Sequence, residues 1–450
     1  MSRILVKSGI IVTLDDTTPD LARGDVLIED DRILEIAPAI EAAGARIIDA
    51  RERIVMPGFV NAHIHTWQTA LRGVASDWTI PEYLHNMHAV LAPGFAPDDI
   101  KISNLAGALN QLDGGVTTIV DWNHNNPTPA HTDAAVEGLA EAGLRALYLH
   151  GTPKPDPKPG QKHFSEVPHP RAEIERLRRG RFASDDGLLT LGMAILGPAY
   201  STYEVSRADF ALARDQDLVC SMHVGGGAMR TPDGFERLMA EGLVRAGTNL
   251  VHANNLSAER LTPLLERGVT VSVTPECELQ MGFGDPVTGR LRALGALPSI
   301  GTDVESAMGP DMFTNMRMAL QYQRALDNQD VLDATGKAPE RVSIGAREAL
   351  LWATLGGARM AGLEKRVGSL APGKQADLVL LRADDLNMAP AIDPVHSIVF
   401  HAGTANVDTV LVAGRVVKER GRLAYGDLAR LKAALVAVGR RVAGNLARVH

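Results

Sequence analysis

Pro57-Gly58-Phe59-Val60-Asn61-Ala62-His63-Ile64-His65 is the stretch on which the fold of this chain turns. Its apolar run predicts a buried strand over 54–62, and in a strand residues i and i+2 face the same way. His63 and His65 therefore point together, as two imidazoles must to chelate one ion. A His-x-His pair alone occurs often by chance, so its meaning depends on what surrounds it.

Downstream, apolar strands are predicted at 116–121, 145–149, 189–196, 217–222, 249–252, 269–273 and 297–301. Amphipathic helices are predicted between most of them, at 131–142, 171–180, 204–215, 230–244 and 257–266. Alternation of this kind implies a parallel sheet with helical crossovers, and eight strands favour closure into a (β/α)₈ barrel over an open sheet. His223 follows the strand at 217–222, His252 ends 249–252, and Asp303 follows 297–301. Each lies at the C-terminal end of a different strand, the face where such barrels carry their active sites.

Both chain ends have another texture. Short Ile/Leu/Val-rich strands are predicted at 3–13, 24–29 and 32–37, and again at 376–381, 397–402 and 408–421, with a hairpin turn at Ala413-Gly414-Arg415. They predict one small β-sandwich domain made from both ends. The expected organisation is 1–56 and 366–426 for that domain, 57–365 for the barrel and 427–450 for a C-terminal segment. That last segment is helical over 427–449, with Leu428, Leu431, Leu435 and Val438 on one face. The Pro-, Lys- and Gly-rich stretch 151–169 reads as a long loop after the third barrel strand, a candidate lid.

Composition narrows the class of protein. Of 450 residues, 45% are hydrophobic and 22% charged, as in a globular protein with a full core. A net charge of −8 argues against a nucleic-acid partner, which would need a basic face. Two cysteines, Cys220 and Cys277, cannot form a disulfide framework, which fits a reducing cytoplasm. The N-terminal residues lack the pattern of a secretory signal, and no apolar stretch approaches the ~20 residues of a membrane span. A soluble cytoplasmic enzyme with no membrane partner is expected.

The segments PGFVNAHIHT, the strand-end His223, VHANN around His252, SIGTD around Asp303 and the tail GSLAPGKQADLVLL resemble the amidohydrolase superfamily. Within it the chain is most similar to the branch of cytosine and guanine deaminases and triazine hydrolases, over nearly its whole length. The resemblance implies that His63, His65, His223 and Asp303 bind one divalent metal, zinc first and iron second. It implies further that Asp303 takes the proton of the attacking water, and that His252 polarises the substrate and steadies the oxyanion. A bound metal lowers the pKa of water from ~16 toward ~7, so the chemistry is sound apart from the resemblance. The resemblance also implies a homodimer and a small-molecule substrate.

This chain departs from the branch in places. Binuclear relatives carry a lysine at the fourth strand end, where this chain reads Leu196-Gly197-Pro198-Ala199-Tyr200; one metal is therefore expected. The branch also tends to carry a histidine where Ala199 stands. Its deaminases read His-x-x-Glu after the fifth strand, the glutamate shuttling protons to the leaving amine; here Gly226 holds that place. Glu276, beyond the seventh strand, is the expected substitute, with His124 after the second strand as another candidate and Glu278 turned to solvent or a partner. Trp67, Gln68, Arg72 and Ser306 are candidates for lining the substrate pocket, and His85 and His88 for surface or packing positions.

The expected activity is hydrolysis of a non-peptide C–N bond in a small cyclic or heteroaromatic molecule. Displacement of another leaving group (halide, alkylamine or thiolate) is the alternative within enzymes. A catalytically silent barrel serving as a binding protein is the alternative outside them.

Overall fold

The computed structural model describes residues 2–446. The chain divides into two compact units. One comprises the residues up to Ala62, Asn110–Thr118 and Asp311–Tyr425; the other comprises His63–Leu109, Ile119–Pro310 and the chain from Gly426 on.

An eight-stranded sheet runs in strict sequence order: Phe59–Ile64 (β1), Val116–Asn123 (β2), Arg145–His150 (β3), Leu189–Ile195 (β4), Val219–Val224 (β5), Thr248–His252 (β6), Thr270–Val273 (β7) and Ser299–Ile300 (β8). The successive pairs from β3 to β8 are parallel. Every residue of β1, β2, β3 and β6 is buried, as expected for parallel strands covered on both faces. The sheet closes on itself. Ile64 bridges to Asp303, the amides of Thr302 and Asp303 both donate to the His63 carbonyl at 3.0 Å, and the His65 amide donates to the Asp303 carbonyl at 3.0 Å. Gly301 makes this closure possible, since a Cβ there would stand 2.7–2.8 Å from His63 backbone and side-chain atoms. The result is the (β/α)₈ barrel.

The chain-end strands form a separate nine-stranded mixed sheet. Its order is Arg422–Leu423, Arg415–Glu419, Val407–Val412, Leu378–Arg382, Arg53–Pro57, Arg3–Ile11, Leu21–Glu29 and Arg32–Ala37, with Arg46–Asp49 paired beside Arg3–Ile11. N-terminal and C-terminal strands meet where Leu378–Arg382 pairs antiparallel with Arg53–Pro57. Val6, Val26, Val55, Leu378, Leu380 and Leu411 lie in its core. The hairpin at Ala413-Gly414 forms with both residues at positive φ (46° and 72°), the geometry of a tight two-residue turn.

Several expected elements differ. The stretch 54–62 is two strands: Arg53–Pro57 belongs to the mixed sheet and Phe59–Ile64 to the barrel. Gly58 separates them, and a Cβ there would meet the Thr117 side chain at 2.2 Å. The stretch 397–402 is helical over Ser397–His401 rather than extended. Asp393 caps the preceding turn by accepting from the His396 amide, and Pro394 pre-sets its first residue. The helix expected at 230–244 is only Gly234–Ala240, bounded by Pro232 and by Gly242 at φ +66°. The C-terminal helix spans Leu428–Ala443, burying Leu431, Val438 and Val442; residues 447–449 of the expected helix lie outside the described residues. The 24-residue helix Met312–Thr335 has no counterpart among the expected elements. Among the described residues, no helix is long and apolar enough to cross a membrane.

Candidate metal centre

His63 lies within β1 and His65 directly follows it, with their rings 4.7 Å apart, edge to face. The Nδ1–H of His65 donates to the Trp122 carbonyl at 2.5 Å, which leaves Nε2 as the lone-pair nitrogen. His223 comes from β5 and Asp303 from the turn after β8. One ligand atom from each of these four residues falls within 4.8 Å of all the others.

The spacings test whether an ion fits. Donors ~2.0–2.1 Å from a tetrahedral zinc ion stand ~3.3–3.4 Å from one another. Here Nε2 of His63 is 3.2 Å from Nε2 of His223, and Nε2 of both His63 and His65 is 3.3 Å from Asp303 Oδ1. Burial lowers the pKa of His63 to about 4 and that of His223 well below the ordinary imidazole value. Burial also pushes the Asp303 carboxyl up, but the imidazoles of His63, His65 and His252 around it outweigh that and hold the group well below the usual range. Neutral imidazoles around a carboxylate are a donor set suited to a divalent cation.

His252 and Asp303 hold left-handed backbone conformations, φ +72° and +61°. Non-glycine residues seldom adopt these, at a cost of ~1–3 kcal/mol each, and they cluster at functional sites. His252 sits beside the ligands, its Nε2 3.8 Å from Asp303 Oδ2. On its other side, Nδ1 is 3.2 Å from Glu278 Oε1 and 3.1 Å from Thr274 Oγ1. Glu278 is fully buried and accepts from the Thr274 amide at 2.8 Å. Neither glutamate thus stands where it was expected. Glu278 does not face solvent, and Glu276 is half-buried and does not line the pocket. Pro275 opens the helix Pro275–Met281, and in a helix residues two apart point ~200° away from each other.

His124 lines the pocket and stacks on His65, ring centres 4.4 Å apart and 10° from parallel. Its Nδ1 accepts from Trp67 Nε1–H at 2.8 Å, so a neutral ring carries its proton on Nε2. Burial holds its pKa well below the ordinary value, as it does for His88, another ring that lines the pocket. His88, expected at a surface or packing position, is buried and packs against His124 at 4.4 Å.

The other expected pocket residues do not line it. Trp67 and Gln68 lie in the turn Thr66–Leu71 with their side chains fully buried. Gln68 donates to the Tyr83 hydroxyl at 2.6 Å and accepts from Ser306 Oγ at 2.7 Å, so Gln68 and Ser306 support Tyr83 from behind. Arg72 is engaged with buried Glu305 at 2.6 Å. Tyr83, Tyr200, Phe283 and Lys154 line the pocket in their stead. Lys154 is one of two lysines flanked by prolines in the loop after β3, Lys158 being the other, so the sequence did not single it out. The aromatic residues had no signal either.

A barrel closed by its first and eighth strands, with a His/His/His/Asp cluster at the strand ends, defines a hydrolase with a metal site. The chain belongs to the amidohydrolase family, whose model matches residues 54–417. It is 28% identical to the 5-methylthioadenosine/S-adenosylhomocysteine deaminase of Moorella thermoacetica, over 94% of this chain and 96% of that protein. An adenosine deaminase of Xanthomonas campestris, solved with bound zinc, is 26% identical with a TM-score of 0.82, covering 98% of each chain. A variant of the atrazine chlorohydrolase of Arthrobacter aurescens, complexed with zinc and atraton, shares the fold at 23% identity with a TM-score of 0.86, covering 97% of this chain and 100% of that one.

Proposed function

We propose that this chain is a hydrolytic deaminase of an aminated heteroaromatic ring, of the adenosine-derived kind named for its relatives, with one zinc ion held by His63, His65, His223 and Asp303. The observation that carries this reading is the close-set donor cluster with His252 poised beside Asp303. A divalent ion there supplies the Lewis acidity that makes hydroxide available near neutral pH. Asp303 accepts the proton of the attacking water. His252 faces the same space and steadies the oxygen that forms on the reacting carbon. Glu278 is a positioning residue that holds the His252 ring through Nδ1. Phe283, 4.2 Å from the His252 ring, and Met281 keep water from that side.

A second reading is displacement of a halide, alkylamine or thiolate. It is supported by Gly226, which stands at φ +72° beside Ile80, Tyr200 and Phe283 and offers no carboxylate. The intact donor set argues against a silent binding barrel. The free, buried Cys220 and Cys277 support action in a reducing cytoplasm, and a homodimer is the proposed assembly. The test is a panel of aminopurine nucleosides, aminopyrimidines, and amino- and chlorotriazines, with ammonia detection beside elemental analysis. Ammonia release from an aminated ring by zinc-loaded protein is the expected result. Fully loaded protein that turns over none of these rings overturns the reading.

A further inference from the structure

The loop after β3 brings Lys154 into the pocket. Its Nζ lies 5.3 Å from the centre of the Trp122 ring and 6.0 Å from that of Tyr200. Trp122 packs in turn against His223, ring centres 4.4 Å apart. The ammonium thus stands over the aromatic wall that backs the metal ligands. Among the described residues lining the pocket it is the one lysine or arginine, and no carboxylate forms an ion pair with it. The Lys154 side chain is half-buried, with its ammonium over aromatic faces rather than against a carboxylate. Burial brings its pKa down to about 8, against the pull of Asp303.

A proton donor is what this site otherwise lacks. An amide anion is a very poor leaving group, so an exocyclic amine must be protonated before its C–N bond breaks. Gly226 supplies nothing. Glu278 is engaged with His252 and Thr274, and in the reading above Asp303 already takes the proton of the attacking water. His124 is tied up between the Trp67 indole, from which its Nδ1 accepts, and the His65 ring on which it stacks, and His88 packs behind it.

We propose that Lys154 is the general acid of this site, giving an Nζ proton to the exocyclic amine of the adduct that water forms at the ring carbon. The proposal rests on the deaminase reading above. Water adds its oxygen to the ring carbon; one of its hydrogens passes to Asp303 and from there to the ring nitrogen. Lys154 protonates the amino group, the C–N bond breaks with its electron pair on nitrogen, and ammonia leaves. The C=O bond forms as the adduct's hydroxyl proton returns to solvent, and neutral Lys154 regains a proton from solvent. The sum is one amine and one water giving one lactam and one ammonia.

The test compares two leaving groups on one ring, an amine and a chloride or methylthiolate, which depart without prior protonation. Lys154→Met should lower kcat for the amine by ~10²–10⁴-fold. KM, zinc content and turnover of the chloro or methylthio compound should each stay within ~3-fold. As a second measurement, added ethylamine should restore turnover to Lys154→Ala. Equal losses for both leaving groups, a raised KM with kcat kept, or an unimpaired Lys154→Met would each overturn the proposal, the first two in favour of a binding role. Should the wild-type protein release ammonia from no aminated ring, the deaminase reading falls and takes this proposal with it. That outcome is distinct from a wild type that deaminates and a variant that matches it.

Discussion

Glu278 Oε1 lies 3.2 Å from Nδ1 of His252, and the same oxygen accepts from the Thr274 amide at 2.8 Å. A buried carboxylate in this position fixes which way the imidazole faces, much as the orienting acid of a hydrolytic triad does. Glu278→Gln should lower kcat more than ~10-fold, with KM and metal content little changed. Glu276→Gln, whose side chain does not line the pocket, should stay within ~2-fold. Steady-state kinetics on the two purified variants, beside metal analysis, checks the contrast.

Metal content follows from the donor spacing. Close to one zinc or iron per chain is expected by elemental analysis. His63→Ala or His65→Ala should reduce it to a small fraction, because each removes a corner of the 3.2–3.3 Å donor set. Two tightly held ions per chain would contradict the single-site reading.

Asp303→Asn should keep much of the metal, since three imidazoles remain, and should keep the fold, since its backbone contacts to His63 and His65 are made by main-chain atoms. Turnover should fall by ~10²–10⁴-fold through loss of the proton acceptor. A variant with near-native turnover would assign the base to another group.

Away from the pocket, burial raises the pKa of Asp209 to about 7, against the hydrogen bond it accepts from the His169 amide at 2.7 Å. The folded pKa lies above the unfolded value of 3.8. The folded chain therefore holds a proton that the unfolded chain gives up, and this stabilisation is full below pH ~4 and is lost as the pH rises through ~7. At about 1.4 kcal/mol for each tenfold difference in proton affinity, the full effect is on the order of 4 kcal/mol. Asp209→Asn keeps the acceptor and removes the titration. Its urea midpoint should match the parent near pH 4 and exceed it increasingly from pH 5 to 8.

What the sequence discloses and what it hides follow the same physics. β3 was legible because a strand buried on both faces is a near-continuous apolar run, here Ala146-Leu147-Tyr148-Leu149, and every residue of it is buried. His63, His65, His223, His252 and Asp303 were legible because strand ends on one face of a barrel converge. The helix Met312–Thr335 was not, since its buried residues stop at Leu320 and the remaining turns carry no stripe. The choice between Glu276 and Glu278 depends on where strand gives way to helix, because an extended chain would aim both the same way and a helix does not. Lys154 sits in a loop, where no periodicity tells which side chain turns inward.

The closure between β1 and the turn after β8 has a consequence for how this protein assembles. His63, His65 and Asp303 come from the two edges of the sheet, and they meet only when the seam between those edges is zipped by the amides of His65, Thr302 and Asp303. The edges are far apart in sequence, so joining them forfeits the freedom of nearly the whole barrel segment, and that pairing forms late. An ion bound across the seam acts as a rivet between the ends of the sheet: stripping it should loosen β1 and the β8 turn before any interior strand. Hydrogen exchange at these seam amides, with and without chelator, should report that opening first.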